Sequence, residues 1–138
     1  PGVVDEVISL YINNRDKYDY VSNSLQRTYP RGLDTEVFSM AALEKAYKEA
    51  RTQSEKEHVT PYVYRHPELF RLGSCRGAVN YSQHRWTVDT PEDFELIRLI
   101  LQELYPVNNR FTWLDVLSLL SKHPEWIEIN ADVKQKEV

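Results

Sequence analysis

His84-Arg85-Trp86-Thr87-Val88-Asp89-Thr90-Pro91-Glu92-Asp93-Phe94-Glu95-Leu96-Ile97-Arg98-Leu99-Ile100 is a stretch in which one local grammar gives way to another. Arg85-Trp86-Thr87-Val88 carries aromatic and β-branched residues in a short run, which predicts a strand. Thr90 then supplies a helix-capping hydroxyl, Pro91 suits the first helical position, and Glu92 and Asp93 suit the positive end of the helix. Phe94, Ile97, Leu101 and Leu104 recur at helical spacing, so the helix is predicted to run to about Tyr105, before Pro106. A strand feeding a capped helix is the unit of α/β layers, and such sheets bind ligands in the crevice where strands end. Asp89 sits at that junction. The helix grammar explains Thr90 through Asp93 and leaves Asp89 over, either as a turn residue or as a ligand for Mg²⁺, a hard ion that takes one or two carboxylates plus waters and substrate phosphates.

Outward from this stretch the same grammar recurs. Thr112-Trp113-Leu114-Asp115 precedes Val116, Leu117, Leu119 and Leu120, and Pro124 ends that helix. Toward the N-terminus, Val4, Val7, Ile8, Tyr11 and Ile12 share a helical face over about residues 3 to 13, with Asn13-Asn14 as a stop. Residues 18 to 23 and 35 to 38 read as short strands on either side of the turn Tyr29-Pro30-Arg31-Gly32. Ser39 caps a helix marked by Met40, Leu43, Ala46, Tyr47 and Ala50. Residues 54 to 65 predict a helix entered at Ser54 or interrupted near Thr60, because Pro61 is interior, and Leu69 to Cys75 carries a weaker strand signal. Asp132 to Val138 is polar enough to fray. The fold class is α/β rather than a bundle or a sandwich.

The chain's 138 residues, 41% hydrophobic and 28% charged, suit one domain with a real core and not a second full one. Its 17 Lys plus Arg against 21 Asp plus Glu give a net charge of −4, so no broad basic field exists to hold nucleic acid or an anionic membrane surface. No apolar run reaches the roughly 18 residues of a membrane span, and Pro1-Gly2-Val3-Val4-Asp5 does not read as a signal peptide; a cytoplasmic protein is expected. Cys75, the single cysteine, has no partner for an internal disulfide or a zinc site and reads as a buried thiol. The four glycines form no phosphate-cradling loop, so any nucleotide must be gripped by residues elsewhere. A start without Met, directly in a helical pattern, suggests a piece of something longer.

Three constellations carry possible chemistry. Arg27-Thr28-Tyr29-Pro30-Arg31-Gly32-Leu33-Asp34-Thr35-Glu36 joins two guanidiniums that recognise carboxylate or phosphate to acids that hold hydroxyls or orient the arginines, against the plainer reading of a solvated turn with surface ion pairs. Glu57-His58-Val59-Thr60-Pro61-Tyr62 sets an acid beside a histidine that titrates near neutral pH, against a surface Glu beside a His satisfied by a backbone carbonyl. Asp89 and its surroundings are the third. His66, His84 and His123 lack partners at metal-ligand spacing, and Trp113 and Trp126 read as packing.

The ordered set YVSNSLQRTYPRGLDTEVFSMAALEKA (20–46), EKEHVTPYVYRHPELF (55–70) and HRWTVDTPEDFELIRLI (84–100) resembles the later half of the SpsF-like cytidylyltransferase family of spore coat polysaccharide biosynthesis, related to the synthetases that activate acidic sugars as CMP conjugates. The resemblance covers about residues 3 to 122, and FTWLDVLSLLSKHPEWIEIN (111–130) resembles the C-terminal extension of that subgroup. It implies a Rossmann-like, glycosyltransferase-A-like nucleotidyltransferase fold, a three-layer sheet with helices on both faces. Residues 1–106 would form the substrate and metal half of the domain and 107–138 a helical extension.

The activity implied is CTP plus sugar giving CMP-sugar plus pyrophosphate, with Mg²⁺ held by Asp89 and with Arg27, Tyr29, Arg31, Asp34, Glu36, Glu57 and His58 near the sugar. Two family elements have no counterpart here: the N-terminal glycine and basic loop that grips CTP, and a mid-chain aspartate that supplies another metal ligand. Pro1 falls just after where that aspartate would be, so these residues alone are expected to be inactive. A homodimer is expected, since relatives dimerise and a half-domain exposes sheet edges and an apolar face. The alternatives are a glycosyltransferase that consumes a nucleotide sugar, which shares the metal-carboxylate logic, and a non-catalytic assembly module.

Overall fold

The computed structural model describes residues 1–137, which fall into two compact units. The first comprises Pro1–Tyr29, Leu33–Asn80 and residues 136–137; the second comprises Pro30–Gly32 and Tyr81–Gln135. Helices on either side of residue 106 lie in the second unit and share a core.

The first unit is a small α/β assembly. Strand β1 (Tyr20–Ser22) lies between β2 (Glu36–Phe38), antiparallel to it, and β3 (Leu72–Ser74), parallel to it. As the central strand β1 is buried along its whole length, and its successive side chains enter different clusters. Val21 joins Val7 of α1 (Gly2–Asn13) and Cys75. Tyr20 joins Ala42 and Ala46 of α2 (Met40–Glu49) together with Tyr62, Val63 and Phe70. Ser39 caps α2 as its sequence predicts, its hydroxyl accepting from the Ala42 amide at 3.0 Å. Asn14 stops α1, its side-chain amide donating to the Leu10 carbonyl at 2.9 Å. Gly73 has no side chain because a Cβ there would lie 2.8 Å from the Tyr18 ring.

Residues 54 to 65 resolve into two short helices, α3 (Gln53–Glu57) and α4 (Pro61–Arg65). Thr52 and Glu55 cap α3 reciprocally, and Pro61 opens α4, since a proline has no amide to lose at the first helical position.

In the second unit α5 (Pro91–Leu104), α6 (Trp113–Lys122) and α7 (Pro124–Ile127) bury Leu96, Ile100, Val116, Leu119 and Leu120. Thr90 and Thr112 cap α5 and α6, accepting from the Asp93 and Asp115 amides. Trp126 packs against this cluster and stacks on His123, with ring centroids 4.1 Å apart. The expected strand over Arg85–Val88 is corrected to a single parallel bridge between Arg31 and Arg85. The Arg31 amide donates to the His84 carbonyl at 2.9 Å and the Trp86 amide to the Arg31 carbonyl at 2.8 Å. No ladder continues because the next residue on the partner side, Gly32, has φ +106° and turns the chain away. The tail read as fraying is pinned at Gln135, which accepts from Arg85 Nη1 at 2.7 Å; Val138 lies outside the described residues. No helix among the described residues is long and apolar enough to cross a membrane.

Candidate functional site

The first unit contains a cleft of about 490 Å³, within the size range of small-molecule sites. It is lined by Ser24, Leu25, Arg27, Asp34, Glu36, His58, Thr60, Pro61 and Tyr64. The buried side chain of Asn23 fixes one wall by tying the two arms of a loop. Its Nδ2 donates to the Leu33 carbonyl at 2.9 Å, and its Oδ1 accepts from the Thr35 amide at 2.8 Å. Arg27 and Asp34 then meet as a fork, Nη1 to Oδ1 at 2.8 Å and Nη2 to Oδ2 at 2.9 Å.

Glu36, the first residue of β2, uses both carboxylate oxygens. Oε2 accepts from the Tyr20 hydroxyl, and Oε1 accepts from the Thr60 hydroxyl at 3.2 Å. Thr60 is the residue before α4, and its hydroxyl makes no helix cap because it is turned to Glu36 instead. Burial, and then the bond to Glu36, push the Tyr20 hydroxyl well above the usual phenol range, so it stays protonated and donates. The cleft thus presents one guanidinium, two carboxylates, an imidazole and the hydroxyls of Ser24, Thr60 and Tyr64, a set suited to a polyhydroxyl ligand.

Of the expected pocket residues, Arg27, Asp34, Glu36 and His58 come together in this cleft. Tyr29 is buried instead, its hydroxyl donating to Glu6, and Glu57 is exposed on α3, accepting from Gln53 Nε2 at 2.7 Å. Arg31 belongs to the second unit, where its backbone pairs with residues 84 to 86. Sequence reasoning passed over Thr60 and Tyr64, although both sit in the stretch that carried Glu57 and His58.

Asp89 lies in the second unit, at the turn into α5. Its side chain is 64% exposed and makes one ion pair, Oδ2 to Arg85 Nη2 at 3.2 Å. Asp93, read from the sequence only as a helix-end acid, is fully buried. It accepts from Arg85 Nε at 2.9 and 3.2 Å, Arg85 Nη2 at 3.0 Å, the Thr87 hydroxyl at 2.6 Å, the Asp89 amide at 3.2 Å and Asn130 Nδ2 at 2.8 Å. Burial alone would push its carboxyl up, but these bonds, foremost those from Arg85, hold it well below the usual carboxylate range. His84, also buried, has its imidazole pushed down by burial.

Among the described residues no three His, Cys, Asp or Glu side chains gather as a metal cage. A single exposed carboxylate with one long partner bond fits an ion such as Mg²⁺, which draws most ligands from water and phosphate.

No protein-family model matches the chain. It is 35% identical over 136 residues to an uncharacterized protein of Methanocaldococcus jannaschii, covering 97% of this chain and 53% of that protein. It is 27% identical over 128 residues to the spore coat polysaccharide biosynthesis protein SpsF of Bacillus subtilis, covering 91% of this chain and 51% of that one. A solved cytidylyltransferase from Leptospira borgpetersenii serovar Hardjo-bovis superposes with a TM-score of 0.85 at 27% identity, over 99% of this chain and 55% of the other. The chain spans about half the length of the curated relatives it matches. By ordered motifs and by fold, this chain resembles the SpsF-like cytidylyltransferases across about half of their length.

Proposed function

We propose that these residues form the sugar and metal side of a cytidylyltransferase that converts CTP and a sugar, of the acidic class, into a CMP-sugar and pyrophosphate. The observation that carries this reading is the cleft of the first unit, which gathers Arg27, Asp34, Glu36 and His58 from two separate motifs of the resemblance. The whole domain on this reading is Rossmann-like, with a three-layer sheet, and serves surface or spore coat polysaccharide synthesis in the cytoplasm. Residues 1–106 supply its substrate half and 107–138 a helical extension, the CTP loop lies in the other half, and the protein works as a homodimer.

The chemistry is an in-line attack of a sugar oxygen on the α-phosphorus of CTP, with pyrophosphate leaving. Asp89 is the residue of this chain that holds Mg²⁺, which supplies neutralisation of charge developing on the phosphates. Arg27, oriented by Asp34, offers its guanidinium to the sugar's anionic group, and Glu36, fixed by Tyr20 and Thr60, accepts from sugar hydroxyls. His58 stands at the rim, exposed, at the end of α3. The protein's share is positioning and electrostatics rather than a covalent intermediate.

The full-length protein, given CTP and an acidic sugar, is expected to release pyrophosphate in a magnesium-dependent way. Asp89→Asn is expected to abolish that release while circular dichroism stays unchanged. Normal turnover by the variant removes Asp89 from the site.

A further inference from the structure

Arg85 stands between two carboxylates of unequal strength of hold. Asp93, buried, engages Nε and Nη2 with three contacts of 2.9 to 3.2 Å, whereas Asp89, exposed, engages Nη2 alone at 3.2 Å. Nη1 goes to Gln135. The guanidinium is therefore neutralised, and its plane fixed, before Asp89 is counted. The same Asp93 carboxylate holds the Asp89 backbone through its amide and the preceding chain through the Thr87 hydroxyl. Asn130 closes the arrangement, donating to Asp93 and to the Arg85 carbonyl, each at 2.8 Å.

A cation arriving at Asp89 thus displaces one long hydrogen bond and leaves no buried charge unpaired. Were Asp93 uncharged, Asp89 would be the only ionised partner of a nearly buried guanidinium, and giving it up would strand that charge. We propose that Asp93 is a positioning residue for divalent-cation binding at Asp89. Asp93 takes up the Arg85 charge so that the Asp89 carboxylate stays exchangeable, whereas Arg85 without Asp93 would hold Asp89 against the cation. This rests on the reading of Asp89 as the magnesium ligand.

The test uses the full-length protein with Mn²⁺ alone as the probe, its affinity measured by calorimetry. Asp89→Asn examines the metal reading separately: unchanged Mn²⁺ affinity in that variant overturns the reading, and the positioning role with it. Where Asp89→Asn loses binding, Asp93→Asn is expected to weaken Mn²⁺ by about tenfold or more, the usual effect of losing a partner that orients a metal ligand. The double variant Arg85→Gln/Asp93→Asn recovers most of that loss, since no guanidinium remains to hold Asp89. Unchanged affinity in Asp93→Asn, or a double variant no better than the single, overturns the proposal and leaves the metal reading standing.

A measurement on the wild type covers the case in which the variants do not fold. During a Mg²⁺ titration followed by NMR, the Asp89 side-chain carboxyl carbon is expected to move while the Arg85 Nε–H and the Asp93 carboxyl carbon stay in place. A shift of the Arg85 Nε–H as large as that of Asp89 overturns the proposal.

Discussion

Asp93 shows how much one buried carboxylate can organise. It reaches the chain before α5 through Arg85, Thr87 and Asp89 and the chain after α7 through Asn130. Removing one partner of a buried ion pair leaves the other charge uncompensated, so Asp93→Ala is expected to cost about 3–5 kcal/mol in urea denaturation. The pH dependence has a definite sign. The folded carboxyl lies well below its ordinary value of 3.8, so its stabilisation is present above that pH and is lost as pH falls through it toward the folded value. The gap in urea midpoint between wild type and Asp93→Asn is therefore expected to shrink as pH falls from about 5 to about 2. A gap constant over that range contradicts the assignment. Gly32 is the other residue with no tolerance: a Cβ there would lie 2.1 Å from the Trp86 carbonyl oxygen, at a φ that L side chains rarely adopt.

The helices were the most legible elements because their signals are local. Ser39, Thr52, Thr90 and Thr112 each accept from the amide three residues on, and a hydroxyl at that spacing needs nothing from the rest of the chain. Thr112→Ala, which removes the hydroxyl's bonds to the Asp115 amide and carboxylate and leaves the backbone amide of residue 112 to donate to Asp115, is expected to cost about 1 kcal/mol, read from the shift in a urea midpoint. Leu120→Ala on the buried face of the same helix is expected to cost about 2–5 kcal/mol, the larger value reflecting the cavity it leaves. Strands were less legible for the opposite reason. The run 85 to 88 has strand composition, yet a ladder needs a partner that stays alongside, and Arg31 is followed by a glycine that leaves at once. Residues 72 to 74, with a glycine at their centre, form a strand because β1 pairs with them in parallel register.

For the molecule as a whole, some of the exposed apolar side chains line up on helix faces. Val4, Ile8 and Ile12 recur every four residues on α1 at 44%, 37% and 49% exposure, a stripe on one helical face. Phe94 and Leu101, two turns apart on α5, are exposed as well. The two outer strands of the sheet each leave an edge that only three residues long can offer. Self-association to a dimer is the expected outcome in light scattering, weakened by Ile8→Lys; a monodisperse monomer in the wild type contradicts it. Composition, capping chemistry and hydrophobic period lie in neighbouring residues, so they settled the helices, the turn at Gly32 and the α/β class, and three motifs in order settled the resemblance. Long-range contacts lie outside any local pattern. Pairing Arg27 with Asp34 across a loop, turning Thr60 to Glu36 across 24 residues, and burying Asp93 between Arg85 and Asn130 depend on where the backbone returns in space. The same physics moved Tyr29 out of the expected pocket and into contact with Glu6, because a large ring gains more from burial than a polar rim can offer it.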